Sequence, residues 1–213
     1  GLNVDGADTL IATNTTFNHN NLTISQSRGG GVYIGGGGFN TFDQCRIQYN
    51  TALNHGGGVY ISGSSPVFTN VLITDNVLVV GTSTTSYGGG IYDNSSGEPE
   101  FTNVTIANNV ADYGGGYYRN SSNGQFTNCI VYHNTEPYFS AYSVTYSDIE
   151  GSYSGTGNID SDPLFADTAA ADYHLTWGSP CIDTGDPSSN YSNEPLPNGG
   201  RINMGAYGNT SEA

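Results

Sequence analysis

Positive charge is nearly absent from this chain. Its 213 residues include 19 acids but only four arginines and no lysine, which gives a formal net charge of −15. So few cations cannot neutralise the phosphates of a nucleic acid, and they offer an anionic membrane surface little attraction. We therefore expect no nucleic-acid partner and no membrane-surface partner.

Long apolar runs are missing as well. No stretch approaches the roughly 20 residues that a transmembrane helix requires, so we expect no membrane insertion. No signal peptide is visible and the chain starts at Gly1 without Met. We interpret it as a mature or excised piece of a secreted protein, located outside the cell or at the cell surface.

Repetition is what the chain has in abundance. A phrase that ends on asparagine occurs five times, and a glycine-rich phrase follows each of the first four copies. The copies recur about every 25–33 residues, which is typical of a fold built from stacked supersecondary units. The asparagine phrases are ATNTTFNHN (12–20), FDQCRIQYN (42–50), FTNVLITDN (68–76), FTNVTIANN (101–109) and FTNCIVYHN (126–134). The glycine phrases are GGGVY (29–33), GGGVY (56–60), GGGIY (88–92) and GGGYY (114–118).

The asparagine phrases have the alternation of β-strands. In the copy at 68–76, Phe68, Val71 and Ile73 would face inward. If each repeat forms one coil of a parallel β-solenoid, the phrase-final asparagines stack about 4.8 Å apart in a hydrogen-bonded ladder. A second polar column and a column of stacked tyrosines would run along other faces. The ladder is Asn20, Asn50, Asn76, Asn109 and Asn134, the polar column is Asn14, Gln44, Asn70, Asn103 and Asn128, and the tyrosines are Tyr33, Tyr60, Tyr92 and Tyr118.

One side of the solenoid should be irregular, because the segments between each asparagine and the next glycine phrase vary in length. Such a side is often the binding side. The residues directly before the glycines are therefore a candidate face for a ligand or partner, since tyrosines with polar neighbours can contact sugar rings or a protein. The alternative is that the tyrosines only stabilise stacked strands. The candidate residues are Arg28, His55, Tyr87 and Tyr113.

The regular pattern of repeats ends after residue 134. The run SVTYSDIEG (143–151) can supply one more strand, and the segment from Asn158 onward is rich in Asp, Pro and Gly. We predict one domain of about six to seven coils, with coils over 1–150 and a C-terminal coil and capping segment over 151–213. The second part is expected to cover some of the C-terminal end, whose bare edge would otherwise pair with another chain.

With these repeats, nearly the whole chain resembles secreted bacterial right-handed parallel β-helix proteins, the broad group that includes pectate lyase-like folds. Three C-terminal runs resemble the ending of large surface-anchored β-helix proteins: GTGNIDSDPLFAD (155–167), DYHLTWGSPCIDTGDP (172–187) and RINMGAYG (201–208). That ending usually carries acids in its last motif, where this chain has Asn203 and Gly208. The resemblance implies an all-β, right-handed fold and a secreted or surface location. It is less informative about chemical activity.

The three cysteines show no zinc-ligand spacing. Cys45 and Cys129 hold the same inward position three coils apart, roughly 14 Å along the axis, which is beyond the reach of a disulfide. We expect both to be buried free thiols. For Cys181 the resemblance suggests core packing, and a disulfide with Cys129 is the alternative.

The sequence offers little catalytic machinery. A polysaccharide lyase would need a cation at the uronate carboxylate and a base, yet Arg28 and Arg119 would lie three coils apart. A glycoside hydrolase would need paired carboxylates in neighbouring coils, and none align. No cofactor is predicted, although four C-terminal acids are weak candidates for calcium and are otherwise explained as turn formers. These acids are Asp160, Asp162, Asp183 and Asp186.

These observations favour a non-catalytic, extracellular structural or adhesive β-solenoid. With no N-terminal cap visible, the favoured detail is association with itself end to end, where coils of successive subunits would continue the ladder into a filament. Two alternatives stay open: a carbohydrate-binding module that uses the irregular side, and a lyase or glycoside hydrolase that acts on extracellular polysaccharide.

Overall fold

The coils are built from short strands that pair in parallel. The computed structural model describes residues 1–6, 9–24, 27–79 and 85–213. One five-stranded sheet has the order β1 (Leu2–Val4), β4 (Val32–Gly35), β8 (Val59–Ser62), β11 (Ile91–Asp93) and β13 (Tyr117–Arg119). A ten-stranded sheet contains β2 (Leu10–Thr13), β3 (Thr16–Asn18), β5 (Asn40–Asp43), β6 (Arg46–Gln48), β9 (Val67–Thr74), β12 (Glu100–Ala107), β14 (Gln125–Thr127), β15 (Ile130–Tyr132), β16 (Ser143–Thr145) and β17 (Asp148–Ile149).

Two smaller pairs complete the strands of the described ranges. Strands β7 (Thr51–Ala52) and β10 (Val77–Leu78) pair in parallel. In the C-terminal part, β18 (Phe165–Asp167) and β19 (Asp172–Leu175) pair antiparallel around the 3₁₀ turn η1 (Thr168–Ala170). No helix in these ranges is long and apolar enough to cross a membrane.

The observed register confirms the predicted stacking of repeats. Phe42 pairs with Phe68, Phe68 with Phe101, and Phe101 with Phe126, so one phenylalanine enters the core from each of these four coils. Their ring centroids lie 4.8, 5.2 and 4.4 Å apart, close to the spacing of adjacent strands. Valines, isoleucines and the predicted free thiols of Cys45 and Cys129 fill the rest of this core.

The predicted asparagine ladder is present. Each side-chain amide donates from Nδ2 to Oδ1 of the asparagine in the next coil, over 2.8, 2.9, 3.0 and 3.0 Å from Asn20 to Asn134. The same Oδ1 atoms also accept a backbone N–H from the preceding coil. Because Asn50, Asn76 and Asn109 are fully buried, these bonds satisfy polar groups that water cannot reach.

The glycine phrases allow neighbouring coils to approach closely. Gly88 has a φ of +72°, in the left-handed region that suits a residue without a side chain. At Gly90 an added Cβ would lie 2.5 Å from the carbonyl oxygen of Gly116 in the next coil. The glycines thus turn the chain where a side chain would collide with the adjacent backbone.

The last coil is closed by the residues that follow it. The run 143–151, predicted to supply one more strand, forms two, β16 and β17, which pair with β14 and β15. The backbone N–H of Ile159 then bonds to Ser147 O over 2.9 Å, and Asn158 Oδ1 accepts the N–H of Ser147 over 3.1 Å. Tyr153 packs against the core at this end.

The rest of the C-terminal segment, residues 163–213, differs from its expected placement over the end of the solenoid. It folds back along the outside of the ten-stranded sheet, where Asn70 Nδ2 donates to Gly208 O over 2.7 Å and Tyr173 Oη donates to Asp75 Oδ2 over 2.8 Å. Apolar outward side chains explain this placement, since Leu72 packs with Tyr173 and Ala206. A second cluster joins Ile130, Cys181 and Met204.

The predicted outer polar column is therefore only partly at the surface. Its five residues occupy left-handed corners with φ between +47° and +54°, which Asn tolerates better than most residues. Asn14 and Gln44 are exposed, but Asn103 and Asn128 are buried beneath the C-terminal segment. The side-chain amides of Asn70, Asn103 and Asn128 thus hold the C-terminal segment against the solenoid. The spacing of the column alone did not indicate this role.

Candidate functional site

The residues before the glycine phrases form one continuous column. Arg28 pairs with His55, His55 with Tyr87, and Tyr87 with Tyr113, each as a parallel β-bridge between neighbouring coils. Because corresponding positions in successive coils lie about 4.8 Å apart, the column extends for roughly 14 Å along the solenoid axis. We call these four residues the aromatic face.

The aromatic face lies against the predicted tyrosine ladder. The ladder rings Tyr33, Tyr60, Tyr92 and Tyr118 are stacked, with centroids 5.3, 5.3 and 5.6 Å apart. His55 stacks on Tyr92 at 4.5 Å, and Tyr87 packs at 4.6 Å against Tyr118. The Arg28 guanidinium sits 5.2 Å from the ring centroid of Tyr60, a cation–π contact.

This packing determines which parts of the rings a ligand can reach. Stacked ladder rings cover one another, so they present edges and hydroxyl groups rather than open faces. Tyr60 and Tyr92 are 3% and 8% exposed, which assigns the ladder mainly to stabilising the strands. Tyr113, by contrast, is 51% exposed and Arg28 is also at the surface.

The aromatic face carries little charge. Burial, together with the charge of Arg28, lowers the pKa of His55 from its usual value, so this imidazole is neutral at pH 7. Burial raises the pKa of Tyr92 and of Tyr118, so both phenols keep their protons. Arg28 is then the one charged member of a column otherwise made of neutral donors and acceptors.

Each of the four calcium candidates accepts a hydrogen bond, and for Asp162 and Asp186 the bond lies within a local turn. Asp162 accepts the N–H of Leu164, and Asp186 accepts both the N–H and the hydroxyl of Ser188. Asp160 accepts the Ser152 hydroxyl, and Asp183 accepts the N–H of Gly199. In the part of the chain that the structure describes, no three His, Cys, Asp or Glu residues are grouped to hold a metal. Calcium binding stays a prediction.

A cleft lies between the C-terminal segment and the first three repeats, and the sequence did not predict it. Its volume is about 400 Å³. The solenoid wall contains Asn14, Gln44 and Asn70 of the polar column and, beside them, Arg46 of β6. The opposite wall is formed by residues of the C-terminal segment, namely Asn193, Tyr207, Asn209, Thr210, Ser211 and Glu212.

A cluster of titratable groups borders this cleft. His174 Nδ1 lies 2.5 Å from Asp172 Oδ1, and its Nε2 lies 3.4 Å from Glu212 Oε2. The same imidazole stacks on Tyr207 with centroids 3.8 Å apart. Hydrogen bonds from His174 lower the pKa of Asp172. The polar column could be recognised in the sequence, and Tyr207 lies in the RINMGAYG run, but no pattern indicated that the two meet.

Comparison with known proteins bears on the solenoid. A family model described as the right handed beta helix region matches residues 1–159. No curated protein and no solved structure matches the chain. The match covers every coil described above, and the structure within it is a stack of parallel strands.

Proposed function

The chain belongs to the family of right-handed β-helix proteins, and we propose that it is a non-catalytic, extracellular adhesive module that binds a neutral polysaccharide along its aromatic face. The observation that carries this proposal is the unbroken column from Arg28 to Tyr113 across four successive repeats. An extended, regular polymer is best matched by an extended, regular surface.

The side chains of the column suit hydroxyl-rich ligands. A guanidinium, an imidazole and two phenols repeat at the spacing of the coils, and all can form hydrogen bonds. Tyrosine also adds apolar surface beside its polar tip. The half-exposed ring of Tyr113 offers the largest such surface within the column. Binding would thus combine ring contact at one end with hydrogen bonds along the length.

Charge supports a neutral ligand. A chain with a formal net charge of −15 repels polyanions over distances longer than one contact. No member of the aromatic face is a carboxylate, and the nearby Asp112 is already bonded to the N–H and hydroxyl of Ser86. A pair of free carboxylates, which glycoside hydrolysis requires, is not part of this column.

End-to-end association stays a prediction, and the proposed function does not require it. The backbone of the last coil is already paired with residues that follow it: Tyr146 and Ile149 donate to Thr156 and Ile159. These bonds occupy part of the edge that a stacked subunit would use. The aromatic face, in contrast, runs along the side of the solenoid.

The test is depletion of the protein from solution by a panel of polysaccharides. We would use cellulose, chitin and starch as neutral ligands and polygalacturonate as an anionic comparator. The proposal predicts binding to at least one neutral ligand, a loss of about tenfold in affinity for Tyr113→Ala, equal to about 1.4 kcal/mol, and a loss for Tyr87→Ala. Tyr142→Ala is the matched control, because Tyr142 is 65% exposed and lies next to β16, outside the column.

Two results would contradict the proposal. One is retention of full binding by the double variant Tyr87→Ala/Tyr113→Ala, checked for folding by circular dichroism. The other is release of unsaturated sugars or new reducing ends from any polymer of the panel, which would establish catalysis instead.

A further inference from the structure

The cleft between the C-terminal segment and the first three repeats has a chemistry unlike that of the aromatic face. We propose that it is a second binding site, independent of the first, for a small polyol that bears one oxyanion group. The oxyanion can be a carboxylate, a sulfate or a phosphate, because all three present oxygen atoms that a guanidinium binds in the same way.

Arg46 is the first observation behind this proposal. The chain has 19 acids for four arginines, yet Arg46 makes no ion pair with any residue in the described ranges. It is partly buried and lines the cleft. A partly desolvated guanidinium without a carboxylate partner is a strong site for an anion, since its planar fork can donate two parallel hydrogen bonds.

Tyr207 supplies the second observation. Its hydroxyl oxygen is buried and lies beside the Arg46 side chain, at a geometry looser than a regular hydrogen bond. Both residues line the cleft. Burial raises the pKa of this phenol, while the charge of Arg46 and the contact with its side chain oppose the rise. Because this hydroxyl is closed to solvent, it acts on a ligand through Arg46, whose guanidinium it helps to position in the cleft wall.

The remaining lining explains why the ligand should carry hydroxyl groups. Asn14 and Gln44 are exposed amides in the cleft wall. Each amide offers one acceptor and two donors, which matches the dual character of alcohol groups. The cleft volume of about 400 Å³ is that of a small-molecule site.

Glu212 also lines the cleft, and its carboxylate contacts His174 rather than Arg46. Its Oε2 lies 3.4 Å from His174 Nε2, and it is not paired with Arg46. Asp172 is likewise engaged by the other ring nitrogen of His174. His174 thereby engages both acids, and neither forms an ion pair with Arg46 in the described ranges.

The test is calorimetric titration of the whole chain with sodium gluconate, sorbitol and acetate. Gluconate has both features, sorbitol lacks the anion and acetate lacks the polyol. The proposal predicts that gluconate binds at least tenfold more tightly than either. Glucose 6-sulfate and glucose 6-phosphate then distinguish which oxyanion is preferred.

Variants assign the binding to the cleft. Arg46→Gln is expected to weaken gluconate binding at least tenfold, and Arg46→Lys less, because lysine keeps the charge but loses the fork. Tyr207→Phe should weaken it severalfold. Arg119→Gln changes the net charge equally and lies outside the cleft, so it should bind gluconate as the original chain does. Polysaccharide binding should survive in Arg46→Gln, which separates failure of this proposal from failure of the proposed function.

The proposal is overturned if no anionic polyol of the set binds better than sorbitol, or if folded Arg46→Gln binds gluconate unchanged. Should Arg46→Gln fail to fold, an unchanged ratio of gluconate to sorbitol affinity in Tyr207→Phe, or unchanged gluconate affinity in Gln44→Ala, would overturn it equally.

Discussion

Asn76 and Asn109 are joined by two hydrogen bonds to a single atom. The backbone N–H and the side-chain Nδ2 of Asn76 both donate to Asn109 Oδ1 over 3.0 Å. Asn76 Nδ2 also donates to Ile47 O over 2.8 Å, and Asn76 Oδ1 in turn accepts two bonds from Asn50. One amide thus ties three coils together.

Replacement of the Asn76 side chain should lower the free energy of unfolding. Asn76→Ala removes four side-chain hydrogen bonds and leaves the buried N–H of Asn50 without its acceptor. At about 0.5–1.5 kcal/mol per bond, we expect the free energy of unfolding to fall by about 2–6 kcal/mol. Urea denaturation measures it. Asn18→Ala, at an exposed position of β3, is the control and should change stability by less than about 0.5 kcal/mol. Equal effects of the two variants would contradict a structural role for the ladder.

Substitution by alanine should affect stability differently at two glycines, because only one of them lies against the neighbouring coil. Gly90→Ala places a Cβ 2.5 Å from Gly116 O and 3.0 Å from Asn109 Nδ2, so the coils must separate. We expect a loss of about 2 kcal/mol or more. At Gly37 an added Cβ meets nothing within 4 Å, and Gly37→Ala should be neutral or slightly stabilising. Thermal unfolding followed by circular dichroism compares them. A stable Gly90→Ala variant would show that the coils are more loosely packed than the structure indicates.

The buried carboxyl group of Asp148 should make stability depend on pH. Burial raises its pKa from 3.8 to about 6, although it accepts hydrogen bonds from the Cys181 thiol and the N–H of Ser161. Because the folded state then binds a proton more tightly than the unfolded state, this group stabilises the fold below about pH 4. That contribution, about 3 kcal/mol in size, is lost as the pH rises through 6.

Asp148→Asn should remove this part of the pH dependence. Denaturation curves between pH 4 and pH 7 would show a flatter profile for the variant than for the original chain. Glu98→Gln, at an exposed carboxyl group, serves as the control and should keep the original profile. Parallel profiles for Asp148→Asn and the original chain would contradict a raised pKa at this site.

The solenoid could be predicted from the sequence because each repeat contains residues that fix its register against the next repeat. Phe68 and Phe101 align the strands, and Asn76 and Asn109 align the corners, so a match between phrases is also a match between coils. The column that contains Tyr87 and Tyr113 follows from the same alignment.

The path of the C-terminal segment did not follow from the repeats. Its position depends on pairs such as Leu72 with Ala206 and Ile130 with Met204, which are distant in the chain and have no repeated counterpart. Leu72 and Ile130 are apolar at outward positions, which is the only local sign that something covers them. The cleft, which exists only because the segment folds back, was therefore missed as well.

The most direct measurement is the affinity for oligosaccharides of increasing length, prepared from the neutral polysaccharide that binds best. If the aromatic face is an extended site, affinity should rise with length until the oligomer spans roughly 14 Å, three steps of the strand spacing, and then level off. Tyr113→Ala should lower that plateau by about tenfold. A single sugar that binds as tightly as the longest oligomer, or a plateau unchanged in Tyr113→Ala, would contradict binding along this face.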